Sequence, residues 1–190
     1  HSYYTMIVYP FISQFYSIIP APNADEIIKT IDKFHNKSDY HDGNLWGDLC
    51  NLDNILLKSE DFIELYKPSI DLLSEELNKR FNYTLYNPWL NLYQRGNYQE
   101  VHNHKGYDIA SVFFYNDGAD FSKFFFMDTN SCNFSINYDK IMSYSSVVTP
   151  TVKRGDMMFF SSHLHHGVSQ HNSKTIRKTL SANLTITDVK

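Results

Sequence analysis

The sequence predicts a mainly β protein in which an antiparallel jelly roll is buttressed by N-terminal helices. Short strand-like runs separated by turn residues fill the chain from about residue 84 onward, which is typical of a sandwich or small barrel. Helical apolar periodicity is confined to the part before them. Because no Gly/Ser-rich linker or repeat separates the two parts, we expect a single domain over residues 1–190, with about 1–83 as helical support and about 84–190 as the jelly-roll core.

The first elements are expected to be a strand and a helix. The run "YYTMIVYPFI" (3–12) is rich in β-branched and aromatic residues, which favours a strand. Asn23 is followed three residues later by Glu26, and this spacing predicts a capping box for a helix over about 24–35. A loop rich in Asn, Asp and Gly is expected over about 36–48.

A second helical region is expected at roughly 59–81. Pro68 suits the first turn of a helix, so we expect a second segment of this region to begin there. The apolar residues that share one face of the predicted helix are Ile70, Leu73, Leu77 and Phe81.

Seven runs in the C-terminal part predict the strands of the jelly roll. Each combines β-branched and aromatic residues and is bounded by turn residues. A layer of helices packed on one side of these strands completes the expected fold. The runs are 84–94, 98–104, 109–116, 122–128, 146–152, 155–161 and 177–187.

Composition argues against several classes of protein. The 17 basic and 21 acidic residues give a formal charge of −4, which shows no nucleic-acid-binding character. No apolar run approaches the roughly 18–20 residues that a membrane span needs. The two cysteines, Cys50 and Cys132, form no CxxC motif, which fits a reducing compartment. We therefore expect a cytoplasmic protein (in the host cytoplasm if its source is viral) without nucleic-acid or membrane partners.

Two histidine clusters lie at the ends of predicted strands. "EVHNHKGYD" (100–108) contains His102 and His104, and an i, i+2 pair on a strand points to one face. Two imidazoles on one face can occupy neighbouring positions on a metal ion. "SSHLHHGVSQH" (161–171) supplies further histidines. The alternative is that the histidines are surface residues without a functional role.

The last predicted strand adds a cation to the same region. The run "RKTLSANL" begins at Arg177, and strand alternation places polar side chains on the face that Arg177 shares. A guanidinium on the face of a metal site can hold a carboxylate through two parallel hydrogen bonds. The residues of this face are Arg177, Thr179, Ser181 and Asn183.

The order of these motifs resembles the iron(II)- and 2-oxoglutarate-dependent oxygenases. The matching motifs are W-x-N, G-x(5)-H-x-H, H-G-V and R-x-[ST]-x-S-x-N, spread over about residues 88–187. More narrowly, the chain is similar to a phage and marine-bacterial branch related to prolyl 4-hydroxylases. The resemblance implies a double-stranded β-helix of the cupin-like jelly-roll type. It also implies Fe(II), 2-oxoglutarate as cosubstrate, and hydroxylation of a prolyl, peptidyl or small-molecule substrate.

The resemblance also implies roles for individual residues. His102 matches the first iron ligand of the family, His104 the second and His166 the distal ligand, and no catalytic residue beyond these ligands is implied. Arg177 matches the residue that binds the C5 carboxylate of 2-oxoglutarate, and Thr179 matches the hydroxyl that helps to hold it.

The chain departs from the family pattern at three histidines. His104 stands where most members have a carboxylate, so the site has either three histidines or two histidines and a water. Asp108 is too far from His102 to repeat the usual spacing. His163 and His165 replace hydrophobic residues, and His166 is the expected ligand of that cluster because it directly precedes Gly-Val. We expect no metal role for His163, His165 or His171.

Two functions from other classes fit parts of the sequence. A three-histidine, cupin-type thiol dioxygenase would need no 2-oxoglutarate, and Arg177 argues against it. A non-enzymatic jelly-roll binding protein would leave the histidines without a function. The hydrolase motifs HxHxDH and HExxH are absent from the chain.

Overall fold

Two β-sheets and two long helices form most of the part of the chain that the computed structural model describes. The described residues are 14–36, 48–49, 51–55, 57–86, 88–129, 137, 140–141 and 145–189. The helices are α1 (Ala24–Phe34) and α2 (Ser59–Glu76). The strands are β1 (Tyr16–Pro20), β2 (His35–Asn36), β3 (Asp48–Leu49), β4 (Asn51–Ile55), β5 (Phe81–Leu85), β6 (Trp89–Tyr93), β7 (Tyr98–His102), β8 (Ile109–Phe114), β9 (Phe124–Met127), β10 (Val147–Val148), β11 (Asp156–Ser161), β12 (His166–Val168) and β13 (Arg177–Val189).

The strands form an eight-stranded and a five-stranded sheet. The larger sheet has the order β1-β11-β8-β13-β6-β4-β2, with β5 also paired to β13. The smaller sheet has the order β10-β9-β12-β7-β3. The pairs are antiparallel, and most neighbours in space are distant along the chain. This arrangement confirms the predicted double-stranded β-helix buttressed by helices.

The larger sheet separates two hydrophobic cores. Along β8, Ile109 and Phe113 pack with the buried residues of α1 and α2, including Ile27 and Leu73. The alternate residues of β8 face the space between the two sheets instead. They pack there with side chains from both sheets, and this second core comprises Tyr93, Ala110, Val112, Phe114, Phe124, Phe126, Met158, Phe160 and Val168.

The first helix has the predicted position but not the predicted cap. Among the described residues, Asn23 makes no side-chain capping hydrogen bond. Its Nδ2 instead donates to the carbonyl oxygen of Leu65 in α2, 3.0 Å away. The backbone N–H of Glu26 donates to the Asn23 carbonyl oxygen, also at 3.0 Å. The capping-box prediction was therefore wrong because the Asn23 amide joins the two helices.

The second helix is continuous through Pro68, which was wrongly expected to begin a new segment. Pro68 lies inside the 18-residue helix Ser59–Glu76. A proline costs an internal hydrogen bond, but packing of an apolar face can outweigh local propensity. The buried neighbours Tyr66, Ile70 and Leu73 provide that packing.

The same helix ends five residues earlier than predicted. Asn78 adopts a left-handed conformation with φ of 50°. Its N–H donates to the Glu75 carbonyl and the Lys79 N–H donates to the Ser74 carbonyl, which is the pattern of a Schellman motif. Leu77 is the partly exposed C-cap and Phe81 begins β5, so neither continues the apolar face of the helix.

The N-terminal part contributes strands as well as helices. β1 pairs with β11, and β4 pairs with β6, so residues before 84 complete the larger sheet. The description of 1–83 as helical support was therefore incomplete, whereas the single-domain organisation stays a prediction. The predicted run 84–94 is divided between β5 and β6. The predicted strand at 3–12 and residues 37–47 of the predicted loop lie outside the described residues.

A β-bulge adjusts the register between β7 and β12. His166 pairs with His102 but Val168 pairs with Gln99, so β7 contains one extra residue opposite Gly167. A Cβ atom added at Gly167 would lie 2.9 Å from the Phe125 ring and 3.1 Å from the Gln99 carbonyl oxygen. Only glycine therefore fits between these strands without displacing a neighbour.

We predict that Gly167→Ala destabilises the protein because the new methyl group meets the Gln99 backbone. Overpacking of this kind costs about 1–3 kcal/mol. Urea unfolding of the parent and the variant measures the difference in free energy of unfolding. An unchanged unfolding midpoint would show that β7 and β12 are not packed as closely as described.

Candidate metal centre

Three histidines meet at one end of the space between the sheets. His102 ends β7, His166 begins β12 directly opposite it, and His104 lies two residues beyond β7. Their ring centroids are 4.4 Å apart for His102 and His166, 5.1 Å for His104 and His166, and 5.3 Å for His102 and His104. One ligand nitrogen from each lies within 4.8 Å of the others. Within the described part of the chain, this is the one group of metal-ligating side chains with such spacing.

Each imidazole uses its Nδ1 atom to contact a fixed oxygen acceptor. His102 Nδ1 lies 2.8 Å from the Glu100 carbonyl oxygen, and His166 Nδ1 lies 2.8 Å from the Leu164 carbonyl oxygen. Carbonyl oxygens only accept hydrogen bonds, so these contacts place the N–H on Nδ1. The lone pair is then on Nε2, where it is available to a metal ion.

His104 makes the equivalent contact with a side chain. Its Nδ1 lies 2.6 Å from Oδ1 of Asn183 on β13. Trp89 stacks against the same ring, with centroids 6.0 Å apart and an interplanar angle of 29°. The ring of His104 is therefore held both at its edge and on its face.

The electrostatic surroundings of His166 favour its neutral form. Burial lowers the pKa of His166 well below its usual value, and the neighbouring His102 and His104 lower it further. Phe124 stacks on the His166 ring at 5.3 Å and Phe160 meets it edge-on at 4.7 Å. A neutral imidazole is the form that binds a metal ion, so the apolar surroundings prepare this ligand.

A row of buried polar side chains leads from the histidines along β13. Thr179 pairs with Asn91 of β6, and Asn91 Nδ2 donates to Thr179 Oγ1 at 3.2 Å and to Ser181 Oγ at 2.9 Å. Arg177 precedes Thr179 by two residues and Asn183 follows Ser181 by two residues, so both lie on the same face of β13. The predicted face of the last strand is therefore present and points into the barrel.

Arg177 is a buried cation at the far end of this row. It is 3% exposed, and its guanidinium carbon lies 4.8 Å from the Tyr93 ring centroid and 5.7 Å from that of Phe114. Tyr93 in turn donates its hydroxyl hydrogen to Gln99 Oε1 at 2.6 Å. A guanidinium held in aromatic, water-poor surroundings is suited to binding a carboxylate.

The remaining candidate residues are not members of the three-histidine group. Asp108 Oδ2 accepts the N–H of Ile186 at 2.7 Å, which engages its carboxylate with the backbone of β13. His165 Nε2 accepts from Asn103 Nδ2 at 3.3 Å, and His163 is exposed. His171 is fully buried, where Nδ1 accepts from the Ser122 N–H and Nε2 donates to the Thr175 carbonyl.

A match between the sequence and a known protein family identifies the family of the protein. Residues 87–183, just over half of the chain, match the family described as "Putative 2OG-Fe(II) oxygenase". The protein therefore belongs to this family of oxygenases, and it is an enzyme that uses Fe(II) and 2-oxoglutarate. Membership of this family excludes the two alternative functions, a thiol dioxygenase and a non-enzymatic binding protein. The assignment to the phage branch stays a prediction. No curated protein sequence is significantly similar to the chain.

Solved structures share the fold at low sequence identity. HygX from Streptomyces hygroscopicus, with nickel, 2-oxoglutarate and hygromycin B bound, is 11% identical with a TM-score of 0.63, covering 90% of this chain and 83% of its own. A Pseudomonas putida prolyl-4-hydroxylase is 10% identical with a TM-score of 0.59, covering 91% and 93%. A Trichoplax adhaerens prolyl hydroxylase in complex with a hypoxia inducible factor peptide fragment is 11% identical with a TM-score of 0.59, covering 90% and 83%.

Neither described helix combines the length and the apolar character that crossing a membrane requires.

We predict that His171 stabilises the fold without affecting metal binding. His171→Leu leaves the buried Ser122 N–H without its acceptor, which costs about 1–3 kcal/mol, and also removes the hydrogen bond to the Thr175 carbonyl. Chemical unfolding and metal analysis measure the two properties on the same sample. The matched control His163→Ala, at an exposed position, should change neither. Loss of metal from a folded His171→Leu protein would contradict this division of roles.

Proposed function

We propose that the protein is an Fe(II)- and 2-oxoglutarate-dependent hydroxylase whose iron ligands are His102, His104 and His166. We further propose that Arg177, assisted by Thr179, binds the C5 carboxylate of 2-oxoglutarate. The observation that carries the proposal is the convergence of three imidazoles, each anchored through Nδ1, in a barrel whose interior also holds a buried guanidinium.

The donor set fits a divalent transition metal. Imidazole nitrogens suit iron as well as zinc, copper and nickel, and a metal held by His102, His104 and His166 would keep positions for a cosubstrate and dioxygen. Iron bound here supplies the oxygen activation that the family couples to decarboxylation of 2-oxoglutarate. The protein side chains hold the metal, orient the cosubstrate and keep water away through the aromatic lining.

The second ligand is the point at which the site differs from the usual pattern of the family. His104 lies in the ligand group, whereas the nearby carboxylate of Asp108 is hydrogen-bonded to the backbone of β13. We therefore favour three histidines over two histidines and a water. Three neutral ligands leave the metal with its full charge of +2, which attracts the dianionic cosubstrate more strongly than a site that includes a carboxylate.

The proposed cosubstrate site is based on the positive charge of Arg177 and on its burial inside the barrel. A dicarboxylate with one end beside the three histidines would extend its other carboxylate along the inward face of β13 toward Arg177. Arg177 and the Thr179 hydroxyl lie on the inward face of β13, on which Asn183 contacts a metal-ligand candidate. Their guanidinium and hydroxyl donors would satisfy that buried carboxylate.

The substrate is proposed to enter beside two tyrosines at the histidine end of the barrel. The Tyr86 N–H donates to the Asn183 carbonyl oxygen at 2.9 Å, which places Tyr86 next to Asn183 in the sheet. Tyr86 is 41% exposed and meets Tyr107 edge to face, with centroids 4.8 Å apart. Such rings suit a prolyl or other small ring, in keeping with the peptide fragment and the hygromycin B bound in the similar structures. We propose a prolyl, peptidyl or small-molecule substrate.

We predict that His102→Ala and His166→Ala each abolish stoichiometric Fe(II) binding, because each removes one of three ligands. Anaerobic iron loading followed by metal analysis of the desalted protein measures the occupancy. His163→Ala and His165→Ala are matched controls from the same segment and should retain iron as the parent does. Full occupancy in both His102→Ala and His166→Ala would eliminate the proposed ligand set.

We predict that Arg177→Ala weakens 2-oxoglutarate binding steeply and leaves iron occupancy unchanged. Leaving a buried carboxylate unpaired costs about 2–5 kcal/mol. This cost corresponds to roughly 30-fold to several thousand-fold in the dissociation constant. Arg177→Lys should recover only part of the affinity, because an ammonium lacks the planar pair of donors.

The control for this titration is Lys178→Ala. Lys178 is the next residue along β13 and its ammonium lies over Tyr115, which belongs to the helix-side core. This variant should bind 2-oxoglutarate as the parent does. If Arg177→Ala also binds 2-oxoglutarate with the parent's affinity, the cosubstrate site lies elsewhere.

A further inference from the structure

We propose that Asn183 is a positioning residue that enables His104 to serve as a metal ligand in place of a carboxylate. The proposal rests on the proposed set of three histidine ligands and goes beyond it, because it assigns the acceptor that orients one ligand. It follows from a difference in how the three imidazoles are anchored.

Two of the histidines are oriented by their own strand segments. His102 uses the carbonyl oxygen of Glu100 and His166 uses that of Leu164, so each acceptor is a backbone atom two residues earlier in the chain. No side-chain substitution can remove these acceptors.

His104 lies beyond the end of β7 and does not use this local arrangement. Its backbone is fixed by donation from its N–H to the Ser162 carbonyl oxygen, 2.9 Å away. Its ring depends on Asn183 Oδ1 at 2.6 Å, an acceptor from a strand 79 residues away in the chain. A histidine ligand needs such an acceptor because it must direct Nε2 to the metal and its N–H away from it. A carboxylate ligand has no N–H to place.

Asn183 is rigidly placed for this purpose. It is 7% exposed, and its strand is bordered on one side by β8, where Asn183 pairs with Ala110. On the other side its carbonyl oxygen accepts the Tyr86 N–H at 2.9 Å. Because both neighbours hold the backbone, the amide has little freedom to leave the imidazole. Trp89 stacks on the face of the His104 ring and therefore also restricts the movement of that ring.

The test is the affinity of the metal-free protein for Co(II), measured by competition with a chelator. Asn183→Leu removes the acceptor at similar volume, and we expect the Co(II) dissociation constant to rise about 10- to 100-fold. The matched control is Thr185→Val, at the next inward position of β13, which should leave the constant unchanged. An unchanged constant in a folded Asn183→Leu protein would overturn the proposal.

Two further variants separate positioning from general stability. Asn183→Asp keeps the acceptor and should bind Co(II) with close to the parent's affinity. A loss of about 10-fold or more in Asn183→Asp would overturn the acceptor role, whether or not the leucine variant folds. In a His104→Ala background, Asn183→Leu should have almost no additional effect, because the ring that it orients is gone. An equal loss in that background would show that Asn183 acts through the fold and not through His104.

These results are distinguishable from a failure of the proposed ligand set. If His102→Ala and His104→Ala both bind Co(II) like the parent, the three histidines are not the ligands. If those variants lose affinity and only the Asn183 series behaves like the parent, the ligand set stands and the positioning role is wrong.

Discussion

The antiparallel pairing of β7 with β12 is the constraint on which the site depends. It places His102 opposite His166, although 64 positions separate them in the chain. Slipping this register by one residue would turn one imidazole to the other face of the sheet. The extra residue in β7 allows Gln99 and His102 both to face the interior, where Gln99 contacts Tyr93 and His102 contacts the other histidines. Gly167 is the residue that permits the close approach of β12 to Gln99 in β7.

The chemistry of the interior follows from neutral ligands at one end and a buried cation at the other. Burial lowers the pKa of His166, and the carbonyl and amide acceptors place the N–H on Nδ1 of each histidine, which leaves Nε2 for a metal ion. Arg177 carries a positive charge into aromatic surroundings. Together with a divalent metal, these groups make the barrel attractive to a small dianion. This distribution of charge suits the binding of 2-oxoglutarate.

The sequence predicted the jelly roll because strand patterns are local, and the order of the motifs predicted which three histidines the structure brings together. Alternation along "RKTLSANL" placed Arg177 and Asn183 on one face, and the structure brings that face to the histidines. The end of α2 and the role of Asn23 were missed because contacts across the fold decide them. The function of Asn183 was missed for the same reason, since its partner His104 is distant in the chain. The bulge opposite Gly167 depends on the pairing of β7 with β12, so the sequence of either strand alone does not predict it.

The central claim is that one iron ion is bound by three imidazoles. X-ray absorption at the iron edge of the Fe(II)-loaded protein with 2-oxoglutarate counts these ligands directly. The parent should show three histidine ligands per iron, and the iron that His104→Ala binds at raised Fe(II) concentration should show two. Two histidine ligands in both proteins would contradict the account, because His104 would then orient the site without binding the metal.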